Sequence, residues 1–275
     1  PSQGILTSCP TMKAPFFSRL FYLSVSFVMA LGVTHPASAE LVFPTALKTF
    51  HQGDSLNGDG SVLQVINGSG MTKPNADDPS TWTISSTAWQ DDWQGFEAPG
   101  GANRTWAVLD LGAPTENLDK MHLWNVQENA ATNRGMNNFN IFYATSPTVT
   151  PPATSGTVTP YDFSSGGWTQ VSGNFSLDQG IGNGDPGESF DISAASGNRY
   201  IGLQILSNHG GIRVGIGEVA FTTAVPTGAP SVITLPANAI TSSSARIRGN
   251  LTDPGTSTPT VRLYWGTSDG GANAA

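Results

Sequence analysis

The sequence predicts an all-β protein: a jelly-roll β-sandwich followed by part of a second β-domain. Three observations carry this. The 275 residues include 32 glycines and 19 prolines, crowded with Asn, Ser and Thr, which is the composition of short strands joined by many turns. Apolar residues recur with period two in several runs, as in half-buried strands. Long Ala/Leu/Glu/Lys stretches at helical spacing are missing.

The clearest alternating runs are Trp106–Leu111, Met121–Val126, Phe139–Tyr143 and Tyr200–Leu206. Phe139, Ile141 and Tyr143 fall on one face of their run, and Ile201, Leu203 and Ile205 on one face of theirs. Trp106, Val108 and Leu111 are expected to be buried, with the strand breaking at Gly112. Shorter candidates are Trp168–Val171, Ser189–Ile192 and Glu218–Thr222. Turn clusters such as Gly182-Asn183-Gly184-Asp185-Pro186-Gly187 separate them, and the spacing reads as a sandwich or jelly roll. Ser146–Pro160 is Pro/Thr-rich and is expected to be an exposed insertion, because Pro cannot donate to a central ladder.

The domain plan has four parts. Residues 1–39 read as an upstream leader and a secretory signal peptide. Met12-Lys13 opens a basic segment ending at Arg19, Leu20–Val33 is an apolar run of 14, and Ala37-Ser38-Ala39 is an A-x-A cleavage site. The run is short for a span of about 20 residues, so no membrane span is expected after cleavage. Residues 40–223 form the jelly-roll domain, 224–230 (AVPTGAP) a linker, and 231–275 the start of a second domain, cut short. Ser231–Leu235, Ala245–Leu251 and Val261–Trp265 read as its strands.

The formal charge is -8, and loss of Lys13 and Arg19 with the leader takes it to -10. An acidic chain without a basic stripe argues against nucleic acid and anionic membranes. The single cysteine, Cys9, lies in the leader, so the mature chain has neither a disulfide framework nor a thiolate metal site. Export without disulfides points to a bacterial source. Catalysis is not expected. The mature histidines are His51, His122 and His209, no G-x-S-x-G elbow or H-E-x-x-H occurs, and adjacent Asp91 and Asp92 point apart on a strand.

Seven strings then fall in order: VINGSGM (65–71), WAVLDLG (106–112), LWNVQE (123–128), NRGMNNF (133–139), WTQV (168–171), NRYI (198–201) and GIGEVAF (215–221). This order resembles the galactose-binding-domain-like superfamily, the discoidin or coagulation factor 5/8 type C modules, and especially its bacterial carbohydrate-binding branch. The strings SARIRGNL (244–251) and LYWGT (263–267) make the tail resemble an immunoglobulin-like, fibronectin-III-like repeat.

The resemblance implies a calcium ion held by a loop near the first strands and a carboxylate on the last strand. Carried onto this sequence, the ligands are Asn67, Ser69 and Glu218, with loop carbonyls completing an oxygen shell and Asp77 or Asp78 adding charge. Asn67 stands where the family usually has Asp. The alternative for Glu218 is an ion pair with Arg213 or Arg199. A sugar site needs exposed aromatic planes beside planar hydrogen-bonding groups. The candidates are Trp89 and Trp93 in a polar loop, Glu128 and Arg134 after Trp124, and Asn208 and His209 in a Gly-rich loop. The expected protein is a secreted or cell-surface, non-catalytic carbohydrate-binding module, monomeric within a longer chain, whose partner is a glycan or cell-surface polysaccharide. The alternatives are an adhesion or spacer module without a sugar site, and an accessory domain of an exported glycan-degrading enzyme.

Overall fold

The computed structural model describes residues 39–225, 230–241, 244–253 and 255. The expected signal peptide, the middle of the linker and the expected strand Val261–Trp265 lie outside them. The strands in chain order are β1 (Leu41–Val42), β2 (Ala46–Thr49), β3 (Met71–Thr72), β4 (Thr83–Ile84), β5 (Trp93–Gly95), β6 (Trp106–Thr115), β7 (Leu118–Trp124) and β8 (Asn138–Ala144). They continue with β9 (Thr169–Gln170), β10 (Phe175–Ser176), β11 (Glu188–Asp191), β12 (Asn198–Ile205), β13 (Val214–Ile216), β14 (Glu218–Thr223), β15 (Ser231–Asn238) and β16 (Arg246–Asp253). Helical structure among the described residues is limited to short 3-10 turns.

Two antiparallel sheets face each other in a jelly-roll sandwich. One has the order β1-β14-β7-β11, and the other β10-β8-β12-β6-β2 with β9 added beside β8. The registers put apolar residues opposite one another: Leu203 lies between Ala107 and Ile141, while Val219 faces Leu123 and Phe221 faces Met121. These side chains are sealed in the core between the sheets. Period-two alternation is why the same strands can send their other side chains outward.

Both outer faces are also covered. On the six-stranded sheet Phe163 stacks on Phe142 with ring centres 4.8 Å apart. It fits because Gly202 has no side chain; a Cβ there would come within 2.3 Å of the ring. On the four-stranded sheet the outward residue Trp124 lies under Trp82, which also stacks on Phe43, and His122 stacks on Trp124. The alternating pattern therefore weakens at Phe142 and Trp124, which are buried from both sides.

Two expectations change. β6 does not end at Gly112. The glycine takes φ +84°, the pairing with β12 shifts register there, and the strand runs on to Thr115 as a bulge. The Pro/Thr-rich insertion is not a free loop. It lies along β2, donating to and accepting from its backbone side through Thr154, Ser155 and Thr159, and Pro151 is buried. An insertion that cannot join the ladder thus shields an exposed sheet edge.

β15 and β16 form an antiparallel hairpin, with Val232 opposite Leu251. Val232, Ile233, Ile247 and Leu251 are exposed on it.

Candidate functional site

One rim of the sandwich is stitched from four segments. β5 pairs with β13, setting Gln94 opposite Gly215. Gly215 also bridges to Gly135, and Met136 to Asn208. The close approach requires glycine at 215, where a Cβ would lie 2.1 Å from the Trp93 carbonyl oxygen. These contacts gather the 89–96, 128–136 and 207–215 segments, and the Gly60 N–H, donating to the Gln90 carbonyl, adds the 51–60 turn.

β5 alternates there. Trp93 points into the core, edge-on to Phe50, and its indole N–H donates to the His51 carbonyl at 2.9 Å. It is fully buried and out of reach of a ligand, so the expectation that Trp93 forms part of a sugar platform is corrected. Its size and apolar body place it in the core, where its one polar atom finds a backbone acceptor. Trp89, in the preceding turn, keeps 41% of its surface exposed and lies against Gly60.

Gln94 organises the polar side. Its amide donates to Asp92 at 3.0 Å and to Glu128 at 2.6 Å, and its carbonyl accepts from Arg134 at 3.0 Å. Arg134 also donates to Glu128 at 3.1 Å. Glu128 and Arg134 remain about a quarter exposed, at 23% and 25%, so their outer lone pairs and N–H groups stay available. Asp92 is buried beneath them. Burial drives its pKa up to about 8, assisted by the neighbouring Glu128 and Asp54 and opposed by the Gln94 hydrogen bond and by Arg134. Its Oδ2 has no hydrogen-bond partner among the described residues.

A second ion pair continues the rim. Arg213 donates to Asp54 at 3.2 Å and lies 3.9 Å over the ring of Phe96. Phe96 is 46% exposed and stacks on His51. The backbone N–H of Asp54 donates to the Gly60 carbonyl, which ties this pair to the Trp89 turn. Asn208 and His209 tie down the loop at this rim. The Asn208 amide donates to the carbonyls of Gly211 and Arg213, and the His209 ring nitrogen Nε2 lies 3.0 Å from the Leu177 carbonyl. The rim thus offers one exposed aromatic plane, Trp89, the open edge of Phe96, whose ring is covered by His51 and Arg213, and two ion pairs that are about a quarter exposed. Such a surface can cover a sugar's C–H face and exchange hydrogen bonds with its hydroxyls.

The predicted metal residues meet at a second place. Glu218, on the outward face of β14, is fully buried and accepts from the Gly68 N–H at 2.6 Å and the Val219 N–H at 3.3 Å. Burial raises its pKa well above the ordinary carboxylate range. Neither expected arginine pairs with it: Arg213 binds Asp54, and Arg199 binds Asp110 through two nitrogens. Asn67 and Ser69 stand in the same loop, but with their side chains turned to local bonds. Asn67 accepts from the Ser69 N–H, and the Ser69 hydroxyl donates to Asp91. Asp78 instead caps the turn at Pro79–Thr81. Asp91, held by Ser69 and Ser86, is the acid the loop does bring close. No group of three or more His, Cys, Asp or Glu side chains is arranged for a metal among the described residues. A buried carboxylate without an ionic partner does fit a cation. That cation would draw its remaining ligands from carbonyl oxygens, as calcium does.

No family model matches the chain. No curated protein matches it either. Solved structures do. A SusE-like protein is 17% identical, covers 69% of this chain and 68% of its own, and has a TM-score of 0.42. The F5/8 type C domain of a Bacteroides fragilis protein is 10% identical, covers 68% and 98%, and also scores 0.42. A truncated AlyQ with CBM32 and alginate lyase domains is 16% identical over 72% of this chain, with a TM-score of 0.41. The matched part spans only 36% of that protein.

Sequence reasoning missed Asp54, Asp92, Gln94, Phe96 and Arg213. The signal for Asp54 was present in the Gly- and Asp-rich turn Gly53–Gly60. For Gln94 it was alternation, since a buried Trp93 sends its neighbour to the other side. Nothing local marks Arg213, whose partner is 159 positions away.

Proposed function

We propose that residues 40–223 are a non-catalytic carbohydrate-binding module of an exported protein, taking glycan at the rim formed by Trp89, Phe96, Glu128–Arg134 and Asp54–Arg213. The observation that carries this reading is the selective exposure of aromatic rings. Trp82, Trp93, Trp106 and Trp124 are buried, whereas Trp89 and Phe96 are left open beside planar charged groups. An open Trp89 ring beside paired charged groups suits a ligand that brings both a C–H face and hydroxyls. A calcium ion at the Gly68–Ser69 loop, with Glu218 as its carboxylate, has a structural role in this reading: it fixes the loop that Asp91 links to the Trp89 turn. No helix among the described residues is long and apolar enough to cross a membrane.

The hairpin β15–β16 supports a second element of the proposal, a fibronectin-III-like unit following the module. A lone two-stranded hairpin with four exposed apolar side chains is stable only against further strands.

The test is a glycan array probed with the chain in calcium and again in chelator. Binding to a glycan class in calcium is expected. Absence of binding to every glycan in calcium rejects the module reading.

A further inference from the structure

We infer that the rim selects uncharged glycans and rejects sugars bearing carboxylate or sulfate at the bound position. This rests on the reading of the rim as a glycan site and names what that site takes.

The positive charge at the rim is already paired. Both rim guanidiniums are engaged, Arg134 by Glu128 and Arg213 by Asp54. Next along the chain, Arg104 pairs with Glu97. Lys73, on the neighbouring loop, lies over the rings of Trp82 and Phe43. His51 is buried and its Nδ1 accepts from the Gly53 N–H, so that nitrogen carries no proton. An acidic sugar could reach a spare N–H of Arg134 or Arg213 only beside the Glu128 or Asp54 carboxylate that already neutralises that guanidinium. Its negative charge would then lie against that carboxylate, with no unpaired cation on the rim to offset it. Like charges held that close are disfavoured.

A hydroxyl has no such conflict. It can donate to the outer oxygen of Glu128 or Asp54 and accept from a spare N–H of Arg134 or Arg213, leaving both ion pairs intact. Paired charges of this kind are polar hydrogen-bonding forks without net charge, and the Trp89 ring, with the edge of Phe96, supplies the apolar cover. The arrangement therefore rewards hydroxyl-rich, neutral faces.

The experiment measures affinities of the chain for three matched pairs of oligosaccharides: galactose against galacturonate, glucose against glucuronate, and mannose against mannuronate. Sulfated galactose is included. At least one neutral member is expected to bind, with its acidic partner at least tenfold weaker. Glu128→Gln leaves Arg134 without its carboxylate and should narrow that gap at least threefold; Asp54→Asn should do the same through Arg213. The second variant decides if the first does not fold. An acidic member that binds as tightly as its neutral partner overturns the inference while leaving a glycan site in place. Failure of all members, together with an empty glycan array, removes the site and the inference with it.

Discussion

The backbone N–H of Gly68 donates to the carboxylate of Glu218 at 2.6 Å, across 150 residues of chain. That bond ties the first loop of the sandwich to its last strand. Among the described residues, this fully buried carboxylate has backbone donors but no cation within ion-pairing distance.

Calcium should therefore stabilise the protein. A ligand that binds only the folded chain adds about 2.7 kcal/mol at a hundredfold excess over its dissociation constant. Thermal unfolding followed with added calcium should show a rising midpoint, and chelator should reverse it. Glu218→Gln should abolish the calcium-dependent shift. An unchanged wild-type midpoint at millimolar calcium would remove the ion from the account.

Stability should also fall as pH rises through the range from weakly acidic to mildly alkaline. Folded, Asp92 keeps its proton to about pH 8; unfolded, it releases it near 3.8. Between those values the unfolded chain has lost a proton that the folded chain retains, so each step up in pH favours unfolding. The loss begins near the unfolded value and is complete above about 8. Urea unfolding across this range should show the decline, and Asp92→Asn should flatten it.

The two tryptophans of one turn should separate cleanly. Trp93→Ala empties a core position and should cost about 3–5 kcal/mol. Trp89→Ala removes a ring already 41% exposed and should stay within about 0.5 kcal/mol of wild type in urea unfolding. Equal losses would mean that Trp89 is structural.

The sandwich was legible because its strands alternate. Ile201, Leu203, Met121 and Leu123 are buried on the faces their spacing implies. The fold was less readable where a strand is covered on both sides, as at Phe142 beneath Phe163, or where it is very short, as at β1 and β13. Turn chemistry was read too literally at Gly112, which bulges a strand instead of ending it. At the rim, Glu128 and Arg134 were accessible as a close pair after Trp124, six residues apart and in contact. Trp93 was misassigned because a polar neighbourhood in sequence says little about which way one alternating side chain points. Asp54–Arg213 is a contact between distant loops, and no local pattern encodes it.

Gln94 offers a sharper test of that rim. It is 2% exposed, yet its amide touches Asp92, Glu128 and Arg134. Gln94→Ala should cost about 1–3 kcal/mol by leaving buried partners unpaired. It should also weaken glycan binding, because Glu128 and Arg134 lose the group that orients them. A variant that is destabilised but binds normally would place Gln94 outside the site.

The most direct measurement is the glycan affinity of Trp89→Ala beside that of the wild-type chain, in calcium. At least a tenfold loss is expected, about 1.4 kcal/mol, with the unfolding midpoint unmoved. Undiminished affinity in a folded variant would contradict a sugar platform at this rim.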